Sequence, residues 1–485
     1  MSTGTVTGTQ TVTGTGRGTG TCREPSPGRA AADALINGKD TGGTAGLVLT
    51  RPGDWTEFDR TVRLLRHHDY GPPDGARIEV RLCHPDGRIR QAALAAADAP
   101  LPLIAVRAAD WVPSVRARAR QVLEQALAAD PPGTLRSLTP LVLRLGRRGQ
   151  GAWALERFEA ALHAQPSVLA GLCGDADPPT RRFAARLSLR RAEPDPRDAA
   201  RRAAAETDPA TARLWADAAL AATAAGGPDG EVVDALLGAR IPTVRAAGVT
   251  CLRRSGRSAE ADRYLADRSG LVRACARWLV RQDGGDPYAR CRALLADPER
   301  VGRYAVAGFA ECAGRGDVPL LRSLVDHPLD LIRAEALAGL RLLDSTDPAL
   351  LRPLLDDPSP AVARQASLGL CGSAERLPVE PLLELLAPGR PAHTRRAAYR
   401  VLHARGGVAG LRASVELLTD RDPALCRIAG QRIQNTLMSP RGQAGLPLRD
   451  PEVAGLLDRC ADLFSGYVLD RIRTVLALPT GAGVR

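Results

Sequence analysis

Lysine is almost missing from this 485-residue sequence. Of the 66 basic residues only Lys39 is a lysine, so the other 65 are arginines. Such one-sided usage is typical of the codon bias of a GC-rich genome. The net charge of +12 therefore does not by itself indicate a nucleic-acid partner. Charge is informative here only where it gathers on one face of the protein.

Aromatic residues are also scarce, at 3% of the sequence, whereas alanine, leucine and arginine dominate. This composition favours closely packed helices over β-sandwiches, which need β-branched and aromatic side chains. No uncharged apolar run reaches 18 residues, which excludes a membrane-spanning helix. The N-terminus has no charged segment followed by an apolar run, so we expect no secretory signal and a cytoplasmic location.

The residue patterns of common catalytic and metal sites are absent. The ten cysteines form no CxxC, and the seven histidines form no HxxxH or His-Glu pair. No GxGxxG or P-loop precedes a helical pattern. We therefore expect no catalytic residues, no cofactor and no metal. The cysteines fall inside helical patterns, as expected for reduced, buried thiols.

What the sequence does contain is an internal repeat. In DHPLDLIRAEALAGL, which runs from Asp326 to Leu340, an aspartate-proline turn is followed by an apolar residue and Arg333. Small residues follow three and six positions after that arginine, which places them on one helix face. Aspartate caps a helix and proline suits its first turn, so the turn begins a new helix.

The same frame recurs along the chain, and from position 182 onward successive copies are 28 to 32 residues apart. An arginine occupies the equivalent anchor position in most copies. Three copies instead have Gly302, Ala363 or Cys426 there, with an arginine one residue later. We predict a structural role for the anchor arginines, namely Arg90, Arg116, Arg182, Arg213, Arg245, Arg273, Arg333 and Arg395.

This pattern resembles the HEAT-repeat family, in particular its short bacterial form, the PBS-lyase HEAT-like repeat. The resemblance covers roughly residues 75–435 and is carried by the turn and arginine of DWVPSVR, DRSGLVR and DHPLDLIR. It implies an all-α fold, an α-solenoid of about 11 to 13 helix pairs in a right-handed superhelix. It also implies a hydrogen-bonded ladder between the turn aspartates and the anchor arginines of successive units.

The predicted organisation has four parts. Residues 1–45 are Thr/Gly-rich and are expected to form a disordered tail. Residues 46–74 form an N-terminal capping helix region, and residues 75–435 form the repeat array, with an irregular unit at 134–172. Residues 436–485 form C-terminal capping helices, with two helices between Asp450 and Leu478.

A binding face is predicted at offsets one, four and eight from each anchor, which lie on one side of a helix. Acidic residues are fewer at these offsets than arginines, so an acidic partner would fit them. A solvated arginine surface in an arginine-biased protein is the competing interpretation. The predicted partner-binding residues are Arg120, Arg186, Arg277, Arg281, Arg303, Arg341, Arg364, Arg396 and Arg427.

The sequence thus predicts a non-enzymatic scaffold or adaptor for another protein with an acidic surface. A nucleic-acid-binding solenoid is the alternative, although scarce aromatics argue against single-stranded ligands. Enzymes of related architecture fit less well. Iron hydroxylases of this architecture need His-Glu ligand pairs, which the sequence lacks. A HEAT-like lyase has no local signature that the sequence could be tested for. A lesion-binding glycosylase would use Trp215, Trp278 and Asp217.

Overall fold

The computed structural model describes residues 26–36, 51–65, 77–192, 194–223, 229–297 and 301–479. Over these ranges the chain forms α-helices and short 3₁₀ turns and contains no β-strand. The predicted all-α fold is confirmed, and the helices pack on their sequence neighbours as in an α-solenoid. The handedness of a superhelix stays a prediction. Among the described helices, none has the length and apolar character needed to cross a membrane.

The chain divides into two compact units. Unit 1 comprises residues 1–199 and 206–222, and unit 2 comprises residues 200–205 and 223–485. The helices up to the division are α1 (Pro27–Ile36), α2 (Pro52–Leu65), α3 (Ile78–Leu82), α4 (Gly87–Ala93), α5 (Leu101–Arg107), α6 (Pro113–Ala129), α7 (Pro131–Leu145), α8 (Ala152–His163), α9 (Pro166–Leu172), α10 (Pro178–Arg191), α11 (Pro196–Ala205) and α12 (Pro209–Ala222).

Unit 2 contains the end of α11 and the remaining helices, which range from the four residues of α20 to the sixteen of α25. They are α13 (Gly230–Leu237), α14 (Pro242–Cys251), α15 (Gly270–Gln282), α16 (Pro287–Ala293), α17 (Arg303–Ala310), α18 (Val318–Ser323), α19 (Asp330–Leu342), α20 (Pro348–Leu351), α21 (Pro360–Leu370), α22 (Glu380–Glu384), α23 (Ala392–Arg405), α24 (Gly407–Glu416), α25 (Pro423–Met438), α26 (Pro440–Ala444), α27 (Pro451–Arg459) and α28 (Gly466–Val475).

The aspartate-proline turns start helices in the way their chemistry requires. At α10, Asp177 is the N-cap residue and Pro178 is the first helical residue. The Asp177 carboxylate accepts a hydrogen bond from the Thr180 backbone N–H at 3.1 Å. Proline has no N–H to leave unsatisfied in the first turn. Asp422 and Pro423 begin α25 in the same arrangement.

Small residues let successive helices approach closely. A Cβ atom on Gly308 of α17 would lie 2.3 Å from the Leu265 carbonyl oxygen. A Cβ atom on Gly248 of α14 would lie 2.8 Å from the Leu237 nitrogen. Both distances are too short for any other residue, so these glycines fix where the backbones pack.

The predicted disordered tail is wrong for part of its length. Residues 27–36 form α1, which packs on α2, and Ala32 is fully buried. The apolar pairs in AAADALI recur at helical spacing, which gives this short segment a face to bury. The rest of the predicted tail, residues 1–25 and 37–45, lies outside the described residues, as do residues 46–50 and 66–74 of the predicted capping region.

The predicted irregular unit at 134–172 contains three helices, α7, α8 and α9. Pro140 lies inside α7 rather than at its start, and the segment ends with the seven-residue α9. At the other end of the chain, α25 runs through the predicted boundary at residue 435. The two helices predicted between Asp450 and Leu478 correspond to α27 and α28.

Candidate binding surface: arginines without carboxylate partners

The anchor arginines of several helices join neighbouring turns. In unit 1, Arg90 of α4 is fully buried and donates to both carboxylate oxygens of Asp110, at 3.0 and 2.9 Å. Its Nη1 group donates at 2.7 Å to the carbonyl oxygens of His84 and Pro85, in the turn that precedes α4. One guanidinium therefore holds its own turn and the next one.

Unit 2 repeats this arrangement. Arg245 of α14 donates to Asp267 at 3.0 and 2.8 Å and to the carbonyl oxygens of Ala239 and Arg240 at 2.9 Å. The carboxylate also caps the following turn, because the Ser269 backbone N–H donates to Asp267 at 2.7 Å. Two further pairs of this kind join Arg333 to Asp357 and Arg395 to Asp420.

The anchor assigned to Arg182 is off by one residue. Arg181 is the arginine that donates to the carbonyl oxygen of its own turn, at Asp175, and to the Glu206 carboxylate, both at 2.8 Å. Arg182 lies one position further around α10, with 35% of its side chain exposed, and pairs with Asp208. The sequence has two adjacent arginines here, and only the helix start at Pro178 distinguishes them.

The anchor assigned to Arg213 carries the same error. The anchor Arg181 is the fourth residue after Asp177. The equivalent fourth residue after Asp208 is the buried Ala212, not Arg213. Arg213 is 73% exposed and pairs only with Asp217, one turn along its own helix. An exposed pair of this kind contributes little to stability.

Two other predicted anchors depart from the ladder. Arg116 donates to the carbonyl oxygens of Asp110 and Trp111 but pairs with no carboxylate among the described residues, since the irregular unit follows it. Arg273 donates to the carbonyl oxygen of Asp267 at 2.7 Å, and its ion pair is with Glu311, 38 residues further on.

The copy at Gly302 is also placed differently from the prediction. Gly302 is the N-cap residue of α17 and precedes the helix, so it is not an anchor inside it. The fourth residue after this N-cap is the buried Val306. Arg303 is then the first helical residue and not an arginine displaced by one position from an anchor.

Four of the predicted partner-binding arginines are occupied within the protein. Arg120 donates to the carbonyl oxygens of Ala108 and Gln150, both at 3.2 Å, and lies over the Trp153 ring. Because burial and neighbouring Arg116 disfavour its charge, the pKa of Arg120 is lowered. The other three are ion-paired, Arg277 with Glu311, Arg303 with Glu335 and Arg396 with Asp422.

The other five predicted residues make no hydrogen bond or ion pair with any part of the chain that the structure describes. All five are exposed. They are Arg186 in unit 1 and Arg281, Arg341, Arg364 and Arg427 in unit 2.

Arg364 belongs to a cluster, the arginine triad, which also includes Arg400 and Arg432. These residues lie on α21, α23 and α25, none of which contains an acidic residue. The half-buried Arg400 donates to the Ser367 hydroxyl, which itself donates to the Arg364 carbonyl oxygen at 2.7 Å. The Arg432 guanidinium lies 4.7 Å from the centre of the buried Tyr399 ring.

Among the described residues, no carboxylate forms an ion pair with the triad. Burial lowers the pKa of Arg400, and the positive charges of Arg364 and Arg432 lower it further. The effect extends to neighbours, since burial and the charge of Arg432 lower the pKa of His403. Like charges held together in a partly desolvated place are an electrostatic cost, which a bound anion relieves.

Sequence reasoning found only part of this cluster. Arg364 is at the expected offset, whereas Arg400 and Arg432 are five and six residues after their helix anchors. Residues at these offsets point about 40° and 140° away from offset one, where Arg364 lies, on an ideal helix. The long side chains and the packing of α25 on Tyr399 bring them together, and nothing in the local pattern signals this.

The residues considered for a lesion-binding site are divided between the two units. Trp215 is 4% exposed and belongs to the core of unit 1. Asp217 is paired with Arg213 on the surface of α12. Trp278 is 44% exposed and lies in unit 2.

Comparison of the chain with protein-family models and with curated proteins finds no match in either set.

Proposed function

We propose that this chain is a non-enzymatic adaptor with HEAT-like repeats, and that it binds an acidic segment of a partner protein at the arginine triad. The observation that carries the proposal is the half-buried Arg400, which feels the charges of Arg364 and Arg432 and forms no ion pair with a carboxylate in the described part of the chain. Anchor arginines such as Arg245, Arg333 and Arg395 are neutralised by turn carboxylates, whereas the triad gathers three arginines that have no such partner among the described residues.

Arginine suits this role because its planar guanidinium binds a carboxylate through two parallel hydrogen bonds. Ser367 and Tyr399 orient two of the three guanidiniums, which reduces the entropy lost on binding. A partner carboxylate would provide the counter-charge that α21, α23 and α25 lack. Successive repeats would extend the contact along a peptide.

A protein partner is favoured over single-stranded nucleic acid. Tyr399 is the one Phe, Tyr or Trp on these three helices, and it is buried beneath Arg432, so it cannot stack on a base. A duplex would need only phosphate contacts, so the experiment includes duplex DNA as a separate ligand.

The test compares the wild-type chain with the double variant Arg364→Glu/Arg432→Glu in fluorescence-anisotropy titrations with a labelled oligoglutamate peptide. We expect binding to weaken about tenfold or more, since each lost charge-assisted pair is worth about 1.5 kcal/mol or more. The matched control is Arg352→Glu/Arg421→Glu, which changes the net charge equally on exposed positions outside the triad. It should bind the peptide almost as the wild type does.

Equal losses in both variants would mean that only net charge matters, and the proposal would be wrong. If duplex DNA binds more tightly than the peptide and the triad variant abolishes that binding, the site is a phosphate-binding one and the nucleic-acid alternative holds. Circular dichroism of both variants shows whether the helices remain intact.

A further inference from the structure

A cavity with a volume of about 410 Å³ opens in unit 2, at the turns that precede α14 and α15. Its wall contains four arginines but only one acidic residue, which leaves a formal excess of three positive charges. Apolar surface is scarce there, because the other wall residues are a tyrosine, a glycine and two alanines. The charged wall residues are Arg240, Arg245, Arg263, Arg268 and Asp267.

The one carboxylate in this wall is already neutralised. Asp267 accepts from Arg245 at 3.0 and 2.8 Å, and it caps the turn before α15 through the Ser269 backbone N–H. Arg245 also donates at 2.9 Å to the carbonyl oxygens of Ala239 and Arg240, so these oxygens have a donor of their own. The unbalanced positive charge therefore belongs to the other three arginines.

These three guanidiniums are poorly neutralised. Arg268 donates at 2.9 Å to the Arg240 carbonyl oxygen, which holds its guanidinium against the adjoining turn. The Arg240 side chain is exposed and forms no hydrogen bond or ion pair with the described residues. Arg263 pairs with Glu260 at 3.7 Å, which is too long for a hydrogen bond, and that carboxylate accepts from Arg257 at 2.6 and 3.0 Å.

We propose that this cavity binds the phosphate group of a small phosphate monoester or of inorganic phosphate. Such a group carries close to two negative charges near neutral pH and has three acceptor oxygens. Guanidiniums present several N–H donors in a planar fork that matches phosphate oxygens. A carboxylate, with one charge, would leave more of the excess uncompensated. The cavity lies apart from the helices of the arginine triad, so this site does not rest on the proposed adaptor function.

Isothermal titration calorimetry of the full chain with methyl phosphate tests the site at low ionic strength, where charge is least screened. In Arg240→Ala/Arg268→Ala we expect binding to weaken about tenfold or more, because charge-assisted hydrogen bonds are lost. Both side chains are exposed, and circular dichroism verifies that the helices remain. The matched control is Arg281→Ala/Arg341→Ala, which removes two exposed arginines of unit 2 outside the cavity and should bind as the wild type does.

A second measurement needs no variant. Methyl sulfate has the shape of methyl phosphate but a single negative charge, so it should bind several times more weakly. Lowering the pH from about 7.5 to about 5.5 should weaken methyl phosphate binding, since the second ionisation of a phosphate monoester has a pKa of about 6. Methyl sulfate binding should stay constant over the same range.

The charged and titratable groups around the cavity do not change protonation in this range. Arginine stays charged. Burial acts to raise the pKa of Asp267, but the hydrogen bonds from Arg245 and the Ser269 N–H outweigh burial and lower it. The hydrogen bond from Arg257 lowers the pKa of Glu260, and burial raises the pKa of Tyr264. A loss of binding at the lower pH would therefore report on the ligand.

Inorganic phosphate is titrated separately. An affinity equal to that of methyl phosphate identifies free phosphate as a sufficient ligand, and a weaker one identifies an ester. Equal affinities of methyl phosphate and methyl sulfate at about pH 7.5 would overturn the proposal, as would equal losses in the cavity and control variants. The triad variant Arg364→Glu/Arg432→Glu should retain methyl phosphate binding. If the triad variant loses it and the cavity variant does not, phosphate binds at the triad and the cavity is not the site.

Discussion

The Nη2 atom of Arg90 lies 2.9 Å from the Oδ1 atom of Asp110, and both side chains are completely inaccessible to solvent. Asp110 also accepts from Arg107 at 3.0 Å and from the Val112 backbone N–H at 3.0 Å. Asp110 thus contacts the guanidiniums of Arg90 and Arg107 and caps a turn, while Asp59 is a second carboxylate paired with Arg107. Ladder pairs of this kind contribute to the stability of each unit, so removing one partner should lower that stability measurably.

Replacing Asp110 by alanine leaves Arg90 buried without its counter-charge. We expect a loss of about 3–5 kcal/mol in the stability of unit 1, the usual cost of breaking a buried pair on one side. Asp217→Ala is the control, since that carboxylate lies in an exposed pair. Urea denaturation followed by circular dichroism measures both variants. Similar midpoints for the two would show that the ladder does not stabilise the unit.

The adjacent arginines of α10 provide a direct test of the helix register. Arg181→Ala should destabilise unit 1 by more than Arg182→Ala, because Arg181 is 11% exposed and holds both Glu206 and its own turn. We expect a difference of about 1–3 kcal/mol between the variants. Thermal denaturation of both proteins measures it. A larger effect at Arg182 would restore the anchor that the sequence pattern indicated.

Gly308 tests the close approach of backbones in unit 2. Alanine usually stabilises a helix relative to glycine, but here its Cβ would meet the Leu265 carbonyl oxygen at 2.3 Å. We expect Gly308→Ala to cost about 1–3 kcal/mol through overpacking. Gly372→Ala adds a Cβ where no atom lies within 4 Å and should leave the denaturation midpoint almost unchanged. A stabilised Gly308→Ala protein would contradict the packing described.

Acid should weaken unit 1 partly through Glu206. Burial acts to raise its pKa, but the hydrogen bonds from Arg181 and from the Asp208 and Thr207 backbones outweigh burial and lower it. A carboxylate with a lowered folded-state pKa stabilises the fold above its unfolded value, about 4.3 for glutamate, and loses that contribution as pH falls through the folded value.

Glu206→Gln should therefore be less stable than the wild type at about pH 7, and the difference should shrink as the pH falls below about 4. Urea midpoints at several pH values measure this. Glu124→Gln, which removes a carboxylate that is 52% exposed, is the control for the loss of a surface charge. A Glu206→Gln difference that stays constant down to about pH 3 would show that ionisation of this residue does not stabilise the unit.

The sequence was sufficient for the helical class and for the general position of most turns. Aspartate and proline act on the backbone beside them, so Asp177 and Asp422 begin helices without help from distant residues. Apolar spacing of 3.6 residues likewise defines a helix face locally. The short helix α1 was missed because its few apolar residues lie between segments rich in threonine and glycine.

Only the tertiary structure decided which arginine belongs to the ladder and which carboxylate it meets. A shift of one residue turns a side chain by about 100°, so choosing between Arg181 and Arg182 needs the helix start and its packed neighbour. The pairing of Arg273 with Glu311 and the triad across three helices depend on how separate helices pack. The periodicity of apolar residues specifies which face of one helix is buried. The contacts between helices depend on their packing angle and on local irregularities, and the sequence of a single segment does not determine these.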